Sequence, residues 1–176
     1  MSVERARHVG RHSPALYRLE SMRVEDIPRV ALIEEASFGN PWPEQAFKDE
    51  IVKNAFSYPV VARPVSSSRE GSDFVAGYCI KWVVFNELHV QNVAVHQQHR
   101  RRGLGRFLVE EALEFGRSAG CRAAFLEVRE SNTNARRLYV SMGFREVGRR
   151  RNYYGRPREH AIQYRKELSI KATEEP

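Results

Sequence analysis

A chain of 176 residues that is 41% apolar and 10% aromatic is long enough for one domain with a real core, and it is not a wholly disordered polymer. No apolar run approaches the ~20 residues that cross a bilayer, and MSVERARHVGRHSPALYRLE at the start lacks the apolar centre of a signal peptide, so a cytoplasmic protein with no membrane role is expected. The 29 Lys and Arg against 22 Asp and Glu give +7, which suits an anionic ligand or work near the ribosome.

Residues 1–15 are polar, basic and without period, and they read as a tail. Leu16 to Met22 alternates as a first strand. Asp26 ahead of Pro28 marks a helix start, and Ile27, Val30, Ala31 and the Ile33-Glu34 pair carry it to about Phe38. Gly39-Asn40-Pro41-Trp42-Pro43 breaks that helix. Pro43 opens a second one, with Phe47, Ile51 and Val52 at helical spacing. Tyr58 to Ala62 is a short strand, and Pro64 to Asp73 is a loop of turn residues without apolar content. Phe74 to Val84 and Leu88 to Val95 are two long strands, and their tight link through Phe85-Asn86-Glu87 favours an antiparallel pair. Cys79, in an apolar run, and Cys121, after Gly120, read as buried small hydrophobes, with no closely spaced ligands for a metal.

The next helix places Leu104, Leu108, Ala112 and Phe115 on one face and stops at Gly120. Ala124 to Val128 is a central strand. Asn132 to Met142 is a helix with Ala135, Leu138, Tyr139 and Met142 on one stripe, Gly143 as its left-handed cap, and Phe144 able to fold back on the last turn. Arg145 to about Asn152 and Ala161 to Glu167 are the last strands, and 169–176 is a polar tail. The order βααβββαβαββ, within one domain of 16–168, places the chain in the α/β (α+β) class. Basic residues are scattered over the tail, Arg100 to Arg106 and Arg145 to Arg158, with no nucleic-acid-binding motif, so direct nucleic-acid binding is unlikely.

From Leu88 to Phe107 the order is apolar strand, basic glycine turn, helix. That is the layout of a phosphate cradle, because the first amides of a helix and its positive dipole end face any anion lying there. It is also the layout of an ordinary basic surface turn. A P-loop is excluded, since Gly105 is followed by Arg106-Phe107 rather than Lys and a hydroxyl. A dinucleotide fingerprint is excluded by Leu108, which stands where a third glycine or alanine is needed. What remains is the pattern [Q/R]xxGx[G/A], matched by Arg100, Gly103 and Gly105.

Further on, Glu127 lies within an apolar strand and Tyr139 on the apolar stripe of the following helix. Burial would raise the carboxylate towards the range of a general base. The alternatives are an acid paired with Arg129 or facing water, and a tyrosine that only packs.

The glycine turn resembles the pyrophosphate loop of the GNAT N-acetyltransferases, and LEVRxSNxxAxxLYxxxGF from Leu126 to Phe144 resembles the second half of their pattern. Glu34-Glu35-Ala36-Ser37-Phe38 leading to Pro41-Trp42, Val93-Ala94-Val95 and Arg151-Asn152-Tyr153-Tyr154 agree, and the wording is most similar to ribosomal-protein-alanine N-acetyltransferases. The resemblance spans about residues 17 to 167. It implies a mixed, mostly antiparallel sheet flanked by helices, and acetyl-CoA as cosubstrate without a metal. It implies a protein N-terminus as acceptor, that of a ribosomal protein among others. Val93, Ala94 and Val95 would meet the pantetheine arm and acetyl carbonyl. The turn Arg100, Arg101, Arg102, Gly103, Leu104, Gly105 and Arg106 would cradle the pyrophosphate, with Asn132 and Ala135 also touching the cofactor. Glu127 would be the general base and Tyr139 the general acid; Trp42, Tyr153 and Tyr154 would line the peptide groove. Two departures, Glu159-His160 in place of an acidic pair and the long basic tail, bear on acceptor preference, and a lysine or small amine is the alternative acceptor. A non-enzymatic basic module is the competing class.

Overall fold

The computed structural model describes residues 16–65 and 73–169. The proposed 1–15 tail, most of the Pro64–Asp73 loop and most of the 169–176 tail lie outside them. The elements are β1 (Tyr17–Ser21), α1 (Ile27–Glu35), α2 (Glu44–Val52), β2 (Val60–Pro64), β3 (Gly77–Val84), β4 (Glu87–Val95), α3 (Leu104–Ser118), β5 (Ala123–Arg129), α4 (Thr133–Ser141), β6 (Arg145–Gly155) and β7 (Arg158–Glu167). Their order is the one expected from sequence. Several boundaries move: β3 starts three residues after Phe74, and β6 and β7 each extend by three residues toward a hairpin.

Among the described residues seven strands form one sheet, in the order β1-β2-β3-β4-β5-β7-β6. Only β4 and β5 run parallel; every other neighbouring pair is antiparallel. The parallel pair needs a crossover, and α3 supplies it. Its buried side chains Leu104, Phe107, Leu108, Val109, Ala112 and Leu113 lie against Leu88, Ala124 and Leu126, forming one core. Gly116 belongs to this contact, because an added Cβ would sit 3.0 Å from Leu88. A second core on the other face joins Ile27, Val30 and Ile33 of α1 and Phe47 of α2 to Val61, Tyr78, Ile80 and Ala94.

A bulge positions the rest. In the β3–β4 register Ile80 faces Asn92 while Lys81 faces Val90, so Gln91 is one residue too many on β4. An extra residue exchanges the two faces of a strand. Leu88 and Val90 belong to the α3 core; past the bulge Val93 and Val95 pack there, and Ala94 enters the α1–α2 core. Beside the bulge the parallel pair stops. Its register runs from Glu87 with Ala123 to Val90 with Leu126, and no further. Beyond Val90, the edge of β4 that faces β5 has no strand partner, and a wedge opens between the two strands.

Candidate active site

That wedge is a cleft of about 210 Å³, floored by Val90, Gln91, Asn92 and Val93 of β4 and walled by Leu126, Glu127, Val128 and Arg129 of β5. The loop after α1 closes one side with Ser37, Phe38, Gly39, Asn40 and Trp42, while Asn132, Ala135, Tyr139 and Tyr154 close the other. Glu127, Tyr139, Val93, Asn132, Ala135, Trp42 and Tyr154, all singled out from sequence, therefore meet in one place.

Glu127 is not the buried acid expected. Its side chain is 26% exposed, and it accepts hydrogen bonds from Arg150 Nη1 at 3.0 and 3.3 Å and from Gln163 Nε2 at 3.0 Å. The reason is strand alternation: Leu126 and Val128 are buried in the α3 core, which leaves Glu127 on the more open face. Its expected partner Arg129 is engaged elsewhere, with Glu159 at 3.4 Å, the Arg156 and Pro157 carbonyls, and the Tyr154 ring at 4.0 Å.

Tyr139 is 7% exposed and packs edge-on to Phe144 at 5.9 Å, with Tyr164 at 6.3 Å. Burial pushes its phenol well above the ordinary tyrosine range, so it keeps its proton at any physiological pH. Tyr154, also buried in part, is pushed up to about 12, chiefly by desolvation and then by Glu127. Tyr153 lies outside the cleft lining, 46% exposed beneath the Arg150 guanidinium at 4.1 Å. The register shift between Arg150 and Tyr154, with Asn152 at φ +53°, separates the two tyrosines.

The glycine turn sits between the end of β4 and α4. Gly103 caps α3 at φ +81°, and a Cβ built on it would meet nothing within 4 Å. A Cβ on Gly105 would lie 3.8 Å from Val95 and 4.0 Å from Leu138. Arg101 is also left-handed, at φ +63°. In this turn the Cβ position of Gly103 therefore borders open space, whereas that of Gly105 faces Val95 and Leu138. The side chains are otherwise occupied. Arg100 donates to the Val95 carbonyl at 3.1 Å and to Ser37 Oγ at 3.0 Å, pinning the end of β4 to the loop after α1. Arg106 reaches Ser141 Oγ at 2.6 Å on α4, and Leu104 is 1% exposed in the core. Arg102 stands exposed. Asn132 caps α4 through Ala135 N–H at 3.1 Å, leaving its amide nitrogen for a ligand.

Sequence pattern assigns no role to the polar group that lines the cleft between Trp42 and Asn92. Glu34, 1% exposed, accepts from Trp42 N–H at 2.9 Å, from Asn92 Nδ2 at 3.2 and 3.1 Å, and from the Tyr78 hydroxyl. Burial, and after it the Glu34 charge, pushes the Tyr78 phenol far above its usual value. A signal existed: Glu34 falls at i+7 from Ile27 on the Ile27, Val30, Ala31 stripe, where an apolar residue belongs.

The chain is similar in sequence and fold to known proteins. Over 136 residues the chain is 32% identical to the [ribosomal protein bS18]-alanine N-acetyltransferase of Escherichia coli strain K12, covering 77% of this chain and 86% of that protein. The crystal structure of the Escherichia coli ribosomal-protein-S18-alanine N-acetyltransferase matches with a TM-score of 0.77 at 29% identity, over 92% of this chain and 99% of that one. Arabidopsis thaliana NAA60 in complex with acetyl-CoA shares the fold, with a TM-score of 0.76 at 18% identity over 86% and 98% of the two chains. An acetyl-CoA-dependent N-acyltransferase is the class that this fold and its relatives define. The chain belongs to the acetyltransferase (GNAT) family, whose pattern matches residues 27–144.

Proposed function

We propose that the enzyme acetylates the α-amine of a protein N-terminus, with a ribosomal protein the first acceptor to test. The observation that carries this reading is the single cleft at the parted ends of β4 and β5, lined by both Glu127 and Tyr139. Acetyl-CoA supplies the activated acyl group. Its pyrophosphate would lie against the amides of residues 100–106, where the open space beside Gly103 supports the reading and Gly105 keeps the turn close to Val95 and Leu138. Val93 and Val95 present backbone groups along the unpaired edge of β4, where a donated N–H stabilises charge developing on the acyl oxygen. Ala94, between them, turns its carbonyl toward Gly77 of β3 and its side chain into the other core, so it spaces the two rather than meeting the acyl group. Asn132 and Ala135 border the same arm, while Trp42 and Tyr154 border the acceptor; Tyr153, outside the lining, packs under Arg150 instead.

Glu127 takes the proton of the attacking amine through a water, because Arg150 and Gln163 already occupy its oxygens. Tyr139, held protonated by burial, donates to the departing sulfur. The demands on the base are small. An α-amine of pKa about 7.7–8.0 loses its proton at pH 7 for about 1–1.4 kcal/mol, against more than ~4 kcal/mol for a lysine near 10.4. A part-exposed, ion-paired carboxylate suits the easier task.

The test is a panel of Ala-, Ser- and Met-initiated peptides, matched peptides with a blocked N-terminus and an internal lysine, and polyamines, each incubated with acetyl-CoA and read by mass spectrometry. Acetylation confined to free N-termini is expected. Preferential acetylation of lysine or polyamine overturns the acceptor assignment.

A further inference from the structure

We propose that Glu34 is a positioning residue that locks the acceptor side of the cleft to the acyl side; this rests on the functional reading above. Three elements converge on its carboxylate. Trp42 N–H comes from the acceptor loop at 2.9 Å, Asn92 Nδ2 from the β4 bulge at 3.2 and 3.1 Å, and the Tyr78 hydroxyl from β3. All three groups are donors, and a carboxylate is the side chain with two acceptor oxygens and no proton to place among them. Glu34, Asn92 and Tyr78 are 1%, 8% and 0% exposed, so a donor that loses the carboxylate loses a buried partner.

The consequence for the reaction follows from the chain. Asn92 directly precedes Val93, whose backbone lies on the edge of β4 that faces the acyl group, and it follows the extra residue Gln91. A bulge can slide along a strand unless something holds it; the Asn92–Glu34 bonds hold it. Trp42 and its neighbours Phe38 to Asn40 form the opposite wall of the same cleft. The Glu34 carboxylate therefore ties the amine's wall to the carbonyl's wall from the buried side, while Arg100 ties the end of β4 to the same loop through Val95 O and Ser37 Oγ. The spacing of the two walls affects rate steeply, since a misplacement of about 1 Å costs on the order of 10²-fold.

Three variants separate positioning from folding. Glu34→Gln can keep the geometry: its oxygen accepts from Trp42 and Asn92, its amide donates to Tyr78, and Tyr78 turns its proton to Asn92 Oδ1, already 3.2 Å away. Turnover within about threefold of wild type is expected. Glu34→Ala strands the donors; a fall in kcat of about 30-fold or more is expected, with a raised acceptor KM and acetyl-CoA affinity within about twofold of wild type. Asn92→Ala cuts only the link to β4, leaves Trp42 and Tyr78 bonded to Glu34, and guards against a misfolded Glu34→Ala. It is expected to lower kcat at least 10-fold with acceptor KM unchanged. Steady-state kinetics on an N-terminal peptide and calorimetry with acetyl-CoA, at a temperature where all variants are folded by circular dichroism, read these outcomes. A folded Asn92→Ala with normal kcat overturns the inference, as does a Glu34→Gln as impaired as Glu34→Ala. A wild type that acetylates no peptide overturns the functional reading itself, and the positioning role with it.

Discussion

At the scale of the residue, the cleft assigns different work to an acid and a phenol whose surroundings differ. Tyr139 is buried, its phenol is pushed up by desolvation, and no hydrogen bond among the described residues holds its hydroxyl. Tyr139→Phe removes one oxygen and keeps the packing volume. If the hydroxyl protonates the leaving sulfur, kcat falls about 10²-fold while the melting temperature and acetyl-CoA affinity stay near wild type. If only the ring matters, turnover is normal; steady-state rates beside a melting curve decide. The acid must keep its proton, so activity would be lost as pH rises through its pKa. Because that value is displaced upward, the alkaline limb set by Tyr139 lies above the ~10 of an ordinary tyrosine. Glu127→Gln is expected to depress kcat mainly at low pH, where little amine is free, and to spare acetyl-CoA binding. A wild-type pH–rate profile in that variant would move the base to another group, His160 being the next to test. Spacing alone left Glu127 and Tyr139 open between site and packing roles; the family resemblance singled them out, and the two do line one cleft. The state of Glu127 was not legible: its partners Arg150 and Gln163 come from β6 and β7, 23 and 36 residues away. Its face, however, was legible, since Leu126 and Val128 on either side claim the core.

At the scale of the element, the β4 bulge and the glycine turn together make the site. The bulge is written in the sequence as a parity change: Leu88 and Val90 are followed by Val93 and Val95, so the apolar face skips one position at Gln91. Read as one regular strand, the same segment places Asn92 with Leu88 and Val90 on the α3 face; read with the skip, it sends Asn92 toward α1, where Glu34 lies. The ends of β6 and β7 were less legible. Their residues 153–160 carry no apolar alternation, and pairing across the hairpin, not burial, extends the strands. The glycine turn yields a direct test. Gly103→Val places a branched side chain at φ +81°, which costs on the order of 1–2 kcal/mol, or about 2–8 °C in Tm. The new side chain enters open space rather than the core, so the protein still folds. Thermal stabilisation by acetyl-CoA should disappear in Gly103→Val and Gly105→Val alike. Retained stabilisation in both would remove the cradle from this turn.

At the scale of the whole molecule, the sheet separates two cores, and its order explains why only part of the fold is legible in sequence. Crossover by α3 follows from a strand–helix–strand pattern, whereas the insertion of β7 between β5 and β6 is main-chain pairing, which carries little side-chain signature. The same sheet buries a charge that pattern reading leaves unnoticed. Lys81, 4% exposed on β3, donates to the Tyr58 carbonyl at 3.1 Å and lies 4.9 Å from the Phe115 ring. Burial lowers its pKa below the ordinary 10.5 despite the opposing pull of Cys79 and Glu111. Between the lowered value and 10.5 the unfolded chain therefore binds more protons than the native one. Stability from this residue rises with pH through that window and is lost as pH falls. Lys81→Met keeps the length of the side chain and removes the ammonium. At pH 7 it is expected to be neutral or stabilising by up to about 1–4 kcal/mol, as when other buried charges give way to apolar groups of similar volume. Urea midpoints at pH 7 and pH 9.5 test both statements: wild type should gain on the variant as pH rises. A variant less stable at both values by the same margin would mean that the Tyr58 hydrogen bond and the Phe115 face outweigh the desolvation of Lys81, and that the buried ammonium is a net support of the fold.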